Sequence, residues 1–281
     1  MKFQAKIKGT LLEVVQSSLG YSSKTKARNV IKTGQILVNG KCIKIPSSEI
    51  ESGSMIELVQ AQKNRIREER ELRHKVLYED EYILAVEKRT GLIAKSANRK
   101  FKTLFTDVFL YFGSKNVETC LMVNSVDKKE SGVVVFAKSL VVFKELQENW
   151  KKFRKRHYIV IPGGMLDKEG DLEDTFNEND IGLLLPGKGK KTKEVHLKYR
   201  VMKSNGQHSV IRIEEVSQHK NQIRAMFSLM KNPIVGDKKY RSEETFEKGM
   251  ASHLFSVDLA YADRTVEVKT PVPKSFLRLA R

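Results

Sequence analysis

The chain has 281 residues, 40% hydrophobic and 31% charged, with 52 Lys and Arg against 34 Asp and Glu and a formal net charge of +18. That composition is globular, long enough for one large domain and a smaller one, and its positive excess points to a polyanionic partner. No apolar run reaches the roughly 18 residues of a membrane span, Met1 to Gly20 holds no signal-peptide block, and Cys42 and Cys120 lack disulfide or metal-ligand spacing, so a soluble, cytoplasmic, metal-free protein is expected.

Thr10-Leu11-Leu12-Glu13 is a capping box, in which the Thr hydroxyl and the Glu carboxylate satisfy each other's orphan amides. Leu11, Leu12, Val14, Val15 and Leu19 continue it as an amphipathic helix that Gly20 stops. A second helix is predicted from a Ser22/Ser23 cap to Thr33, closed by Gly34. On it Lys24, Arg28 and Lys32 recur every four residues and share one face, while Ala27, Val30 and Ile31 lie towards the other. Ile36-Leu37-Val38 and Cys42-Ile43 flank Asn39-Gly40, a hairpin signal because both turn residues tolerate positive φ. Met55 to Val59 reads as a further strand. Residues 61 to 75, AQKNRIREERELRHK, are mixed charge with hardly any apolar face, the pattern of a linker.

From Val76 the pattern turns to α+β. Short strands are predicted at Val76 to Tyr78 and Ile83 to Val86, a helix at Leu104 to Phe112, and strands at Leu121 to Val126 and Val133 to Ala137. A helix over Ser139 to Lys155, a strand at Tyr158 to Ile161, and a hairpin pairing 196–203 with 208–215 around Asn205-Gly206 follow. Late strands cover 255–259 and 265–269. Strands without regular intervening helices suggest a mixed, largely antiparallel sheet with flanking helices.

Two stretches could carry chemistry. Asp127, at a strand end before the turn DKKESG and a buried strand, is placed to project into a cleft, although the same letters make an ordinary surface turn. In Gly187-Lys188-Gly189-Lys190-Lys191-Thr192-Lys193, glycines permit close backbone approach, and Lys188, Lys190 and Lys191 can neutralise phosphates. A plain solvated loop accounts for that stretch equally well.

The run Lys24 to Lys41, KTKARNVIKTGQILVNGK, resembles the small RNA-binding domain of the ribosomal protein S-four type. That resemblance implies RNA contacts at Lys24, Lys26, Arg28, Lys32, Asn39 and Lys41. The remainder resembles the RluA-type family of pseudouridine synthases, which has His-Arg-Leu-Asp, two variable residues and Thr-Ser-Gly before a strand ending Phe-Ala-Lys. Here Asp127, Ser131, Gly132 and Phe136-Ala137-Lys138 match. The likeness continues through Tyr78 to Gly91, Lys155-Arg156-His157-Tyr158, Asn221-Gln222-Ile223-Arg224-Ala225, Gly236-Asp237-Lys238-Lys239-Tyr240 and His253.

The resemblance implies three domain-level parts: an RNA-binding domain over 1–60, a linker over 61–75 and a catalytic domain over 76–281. It also implies a catalytic carboxylate at Asp127. Tyr158 is then the ring that stacks on uracil and helps remove the carbon-five proton. Arg224 is the cation paired with Asp127, an arrangement that lowers a carboxylate's pKa by roughly 1–3 units. No cofactor is implied, because the base is only detached, rotated and rejoined. The implied partner is RNA, ribosomal before transfer RNA, acted on by a monomer.

Departures stand beside the matches. Asn124-Ser125 replaces His-Arg, Arg89 replaces the proline of a Lys-Pro turn, Asn221 replaces a His, and Glu130 replaces the Thr of Thr-Ser-Gly. They motivate an alternative, a catalytically weak or inactive paralogue that binds RNA or ribosomes as an assembly factor; a non-specific polyanion binder is a further one. Residues 1–75 hold 15 basic against 7 acidic side chains, a denser excess than the 37 against 27 of the rest, so the N-terminal part is expected to grip phosphates.

Overall fold

The computed structural model describes residues 2–20, 23–59, 71–98, 100–165, 167–247 and 249–281. The chain divides into two compact units, Met1–Arg67 and Glu68–Arg281. Most of the expected linker, 61–70, lies outside the described residues.

In the first unit β1 (Lys2–Gln4), β2 (Gly9–Thr10), α1 (Leu11–Ser18), α2 (Lys24–Lys32), β3 (Ile36–Val38), β4 (Lys41–Cys42), β5 (Glu49–Ile50) and β6 (Met55–Leu58) follow one another. The capping box forms: the Thr10 amide and hydroxyl both donate to Glu13 Oε2, at 2.9 and 2.8 Å. Ser23 caps α2 by accepting from the Thr25 amide, and Gly34 takes the left-handed conformation after its end. Asn39 and Gly40 both have positive φ, 49° and 79°, as the two-residue turn between β3 and β4 requires. Leu11, Val15, Ala27, Ile31, Ile36 and Ile56 are buried together between the helices and the sheet β1-β6-β3-β4.

The second unit is built on one long sheet. Its strands are β7 (Val76–Glu79), β8 (Ile83–Lys88), β9 (Leu121–Met122), β10 (Ser131–Ala137), β11 (Lys155–Pro162), β12 (Glu169–Glu178), β13 (Leu184–Pro186), β14 (Thr192–Ser204), β15 (His208–Glu215), β16 (Ser252–Tyr261) and β17 (Arg264–Lys269). The order is β13-β12-β14-β15-β11-β16-β10-β8-β7, with β17 beside β16 and β9 beside β10. Among the described residues the pairings are antiparallel except β10 with β16, which is parallel. The helices are α3 (Leu104–Ser114), α4 (Leu140–Asn149), α5 (Gln222–Leu229) and α6 (Lys274–Leu279), with a 3₁₀ turn at Lys238–Tyr240.

Two apolar cores form on this sheet. One joins β8, β10 and β16 to α3 and α4; the other joins β11, β14 and β15 to α5 and α6. β10, SGVVVFA, is buried along its whole length, which is why it reads as a continuous apolar run rather than an alternation. The expected mixed, largely antiparallel α+β sheet is present. The strand expected over 121–126 ends at Met122, because Asn124 leaves the ladder and uses its side chain instead: Nδ2 donates to the Val133 carbonyl at 3.0 Å, and Oδ1 accepts from the Val135 amide at 2.8 Å.

Candidate active site

The turn between β9 and β10 carries Asp127 and is pinned from three directions. The Gly91 amide donates to the Lys128 carbonyl at 2.8 Å, and the Met250 amide donates to the Lys129 carbonyl at 2.9 Å. The third anchor is Lys88, fully buried on β8. Its ammonium donates to the carbonyls of Arg89, Leu92 and Glu130, at 3.2, 2.9 and 2.7 Å. Burial lowers the Lys88 pKa to about 8, against the attraction of Glu130 and Asp127. Within the turn the Lys129 amide donates to Asp127 Oδ1 at 2.8 Å, and Asp127 itself is exposed. Gly132 begins the parallel contact with β16: its φ is 132°, and a Cβ there would lie 2.3 Å from the Leu254 carbonyl oxygen.

Asp127 opens into a cavity of about 180 Å³ that Ser125, Glu130, His157, Glu215 and Arg224 also line. An adjoining cavity of about 420 Å³ shares Ser125, His157 and Glu215 and reaches Trp150, Lys151 and Lys155. The segment before α5 walls both. Glu130 has its carboxyl pushed up, chiefly by burial, with His157 and Arg224 opposing and Asp127 adding to the effect. Three carboxyls therefore line one space: Asp127 on the exposed turn, Glu130 with its carboxyl pushed up by burial, and Glu215 beside His157.

Arg224 is not paired with Asp127 as expected. Its Nε donates to Asp237 Oδ2 at 2.6 Å and its Nη2 to Asp237 Oδ1 at 2.5 Å, a two-point pair, while Nη1 donates to Asn221 Oδ1 at 3.1 Å. Its guanidinium lies 5.1 Å from the centre of the Tyr240 ring. Burial works against the Arg224 charge, but the hydrogen bonds to Asp237 and its negative charge outweigh that, and the pKa is raised. Asn221, left-handed at φ 64°, starts α5 and also donates to the Gly182 carbonyl at 3.0 Å. Arg224 thus fixes the cavity wall to the turn at Asp237.

Tyr158 is also placed otherwise than expected. Side chains alternate along β11, and it is His157 that lines both cavities. Tyr158 pairs across to Arg212 and His253, and its ring stacks on Phe255 with centroids 4.2 Å apart. The His157 ring is hydrogen-bonded through Nε2 to Glu215 Oε1.

The model of a family described as RNA pseudouridylate synthase matches residues 82–229, and that of the S4 domain matches residues 10–56. The chain belongs to the RNA pseudouridylate synthase family. An uncharacterized RNA pseudouridine synthase of Mycoplasma pneumoniae is 28% identical over 188 residues, which are 63% of this chain and 59% of that protein. This chain therefore spans less than two thirds of that relative's length. The ribosomal large subunit pseudouridine synthase D of Vibrio cholerae is 23% identical over 83% of this chain and 73% of its own. Among solved structures, human RNA pseudouridylate synthase domain containing 4 superposes with a TM-score of 0.60, at 17% identity, over 72% of this chain and 90% of that one. That likeness shows the shared fold.

The pseudouridylate synthase unit keeps its lysine loop, 187–191, exposed between β13 and β14. Lys188 and Lys190 reach solvent there, whereas Lys191 sits 3.4 Å from the Asp180 carboxylate. In the S4 unit Lys24, Lys26, Arg28, Lys32 and Lys41 are exposed, with Lys24, Arg28 and Lys32 along one side of α2. Asn39 has a structural task as well: its Oδ1 accepts from the Met55 amide at 2.9 Å, tying the turn to β6. Sequence reasoning missed His157, Glu215, Gln222 and Asp237 as site residues. No helix among the described residues is long and apolar enough to cross a membrane.

Proposed function

We propose that the protein isomerises specific uridines of structured RNA to pseudouridine in the cytoplasm, with ribosomal RNA the substrate class and Asp127 the catalytic carboxylate. The observation that carries this reading is the Asp127 turn: an exposed carboxylate, held by the Lys129 amide on a backbone anchored by Lys88, Gly91 and Met250, open to a cavity of nucleobase scale. A fixed carboxylate beside such a cavity suits attack on, or proton removal from, a sugar brought to it. A uridine within stacked RNA must first be turned outward, at a cost of a few kcal/mol. The exposed lysines of the S4 unit and of the loop at 188–191 supply phosphate contacts that hold the RNA without reading its sequence.

Ribosomal RNA is favoured because a relative is named for the large ribosomal subunit. Arg224 serves in this reading as a positioning residue, since its charge is taken up by Asp237 and its reach steadies the cavity wall. The test is pseudouridine mapping by carbodiimide-dependent reverse-transcription stops on RNA from wild-type, deletion and Asp127→Ala strains. Stops lost in both the deletion and the Asp127→Ala strain are expected. If every stop persists in the deletion strain, the enzyme reading gives way to an RNA-binding assembly factor.

A further inference from the structure

Turning uridine into its isomer has a fixed proton balance. The bond from sugar carbon one to nitrogen one breaks, the bond to carbon five forms, carbon five loses a proton and nitrogen one gains one. Some group must therefore take the carbon-five proton, and the groups lining the Asp127 cavity can be sorted by what they are already doing.

Asp127 faces the sugar in the reading above. Glu130 has its carboxyl pushed up by burial, and its Oε1 already accepts from the Ser252 hydroxyl at 3.4 Å. Glu215 has both oxygens engaged: Oε2 accepts from Gln222 Nε2 at 2.7 Å, and Oε1 bonds to His157 Nε2. His219 turns its Nε2 to the Glu194 carbonyl at 3.1 Å and pairs with no carboxylate among the described residues. His157 remains. Its Nε2 is held by a carboxylate, and its Nδ1 has no hydrogen-bond partner among the described residues.

The support behind His157 is rigid. Gln222 is buried, and its amide cannot turn over without loss. Oε1 accepts from the Ser217 hydroxyl at 2.6 Å and the His219 amide at 3.1 Å, while Nε2 donates to Glu215 and to the Ser217 carbonyl at 2.7 Å. A fixed Gln222 fixes Glu215, and Glu215 fixes the imidazole with Nε2 as its donor. A base whose far nitrogen is bonded to an oriented carboxylate is the arrangement that stabilises an imidazolium once a proton arrives.

We propose that His157, oriented by Glu215 and Gln222, removes the carbon-five proton, the task the sequence suggests for its neighbour Tyr158. The proton passes from carbon five to His157 Nδ1, Glu215 balances the imidazolium charge, and the proton leaves to water while nitrogen one takes one up. The inference rests on the proposed isomerase function.

The test uses the full-length protein with RNA carrying tritium at carbon five of uridine, and the same RNA made with 5-fluorouridine. The fluorinated base has no carbon-five proton to lose, so it reports glycosyl transfer alone. For His157→Phe we expect tritium release about 100-fold slower, with unchanged RNA affinity and an unchanged rate of glycosyl transfer to the fluorinated base. Glu215→Gln, which keeps the shape of the pair, is expected to slow tritium release about 10-fold and to serve if His157→Phe does not fold. Equal slowing on both RNAs overturns the proposal, as does a His157→Phe enzyme that releases tritium at the wild-type rate. Loss of tritium release in Tyr158→Phe with retention in His157→Phe returns the role to the tyrosine. A wild-type protein that isomerises no RNA sinks the underlying function instead, a distinct result.

Discussion

Arg224 on α5 and Asp237 on the following loop form a two-point ion pair, Nε to Oδ2 at 2.6 Å and Nη2 to Oδ1 at 2.5 Å. Both side chains are almost wholly shielded, at 9% and 1% exposure. The same carboxylate accepts from the Lys239 and Tyr240 amides, so one aspartate ties a helix to a 3₁₀ turn.

Removing one partner of such a pair strands a buried charge, which typically costs about 3–5 kcal/mol. Asp237→Asn is therefore expected to lower the unfolding free energy by that order in urea titration. Replacing both residues with apolar ones of similar size, Arg224→Met with Asp237→Leu, is expected to cost less than the single change. A double variant as unstable as the single one would show that the guanidinium's contacts to Asn221 and Tyr240 matter more than its charge balance.

Asp127 makes a different prediction. It is exposed, and its Oδ1 accepts a hydrogen bond from the Lys129 amide. Asp127→Asn is expected to abolish isomerisation while shifting stability by less than about 1 kcal/mol. RNA affinity should stay within twofold in a filter-binding measurement. A large drop in melting temperature would instead make this residue part of the scaffold.

Lys88 carries a pH signature. Its folded pKa is lowered from 10.5 to about 8, so between those values the unfolded chain holds a proton that the folded chain has released. Stability attributable to Lys88 therefore rises as pH climbs from about 8 towards 10.5, by roughly 3 kcal/mol in all. Below pH 8 both states are protonated and the penalty is present in full. The difference in unfolding free energy between wild type and Lys88→Met should move in the wild type's favour across that window. A difference that stays flat from pH 7 to 10 would refute the linkage.

The S4 unit predicts a salt effect. If Lys24, Arg28 and Lys32 each neutralise a phosphate, replacing all three with Gln reduces the slope of log affinity against log salt by about 2–3. The rate at saturating RNA should be unchanged. An unaltered slope would place the RNA contact elsewhere.

Much of the fold was legible because the relevant signals are local. The capping box Thr10–Glu13 and the turn Asn39-Gly40 are complete within four and two residues, and both form as read. The Asn205-Gly206 hairpin also forms, with His208 and Gln207 amides donating to Asn205 Oδ1. By contrast KRHYIVIP, on β11, is flanked by strands on both sides and lacks the polar-apolar alternation that sets the facing of a strand. One residue of parity separates Tyr158, stacked on Phe255, from His157 in the cavity. The Arg224–Asp237 pair depends on a loop closing back over α5, and the β12 stretch EGDLEDTFNE has too few apolar residues to announce a strand. These are tertiary facts, and no window of neighbouring letters contains them.

The pairing of Ser131 with His253 and of Gly132 with Leu254 joins segments more than a hundred residues apart, and Met250 closes the turn that bears Asp127. Contacts of such long range form late, after the intervening chain exists. During synthesis the aspartate leaves the ribosome long before the strand that holds its backbone in place. A chain that stops short of Met250 therefore lacks both that amide and the β16 partner of Gly132, and its Asp127 turn is expected to stay unanchored on that side.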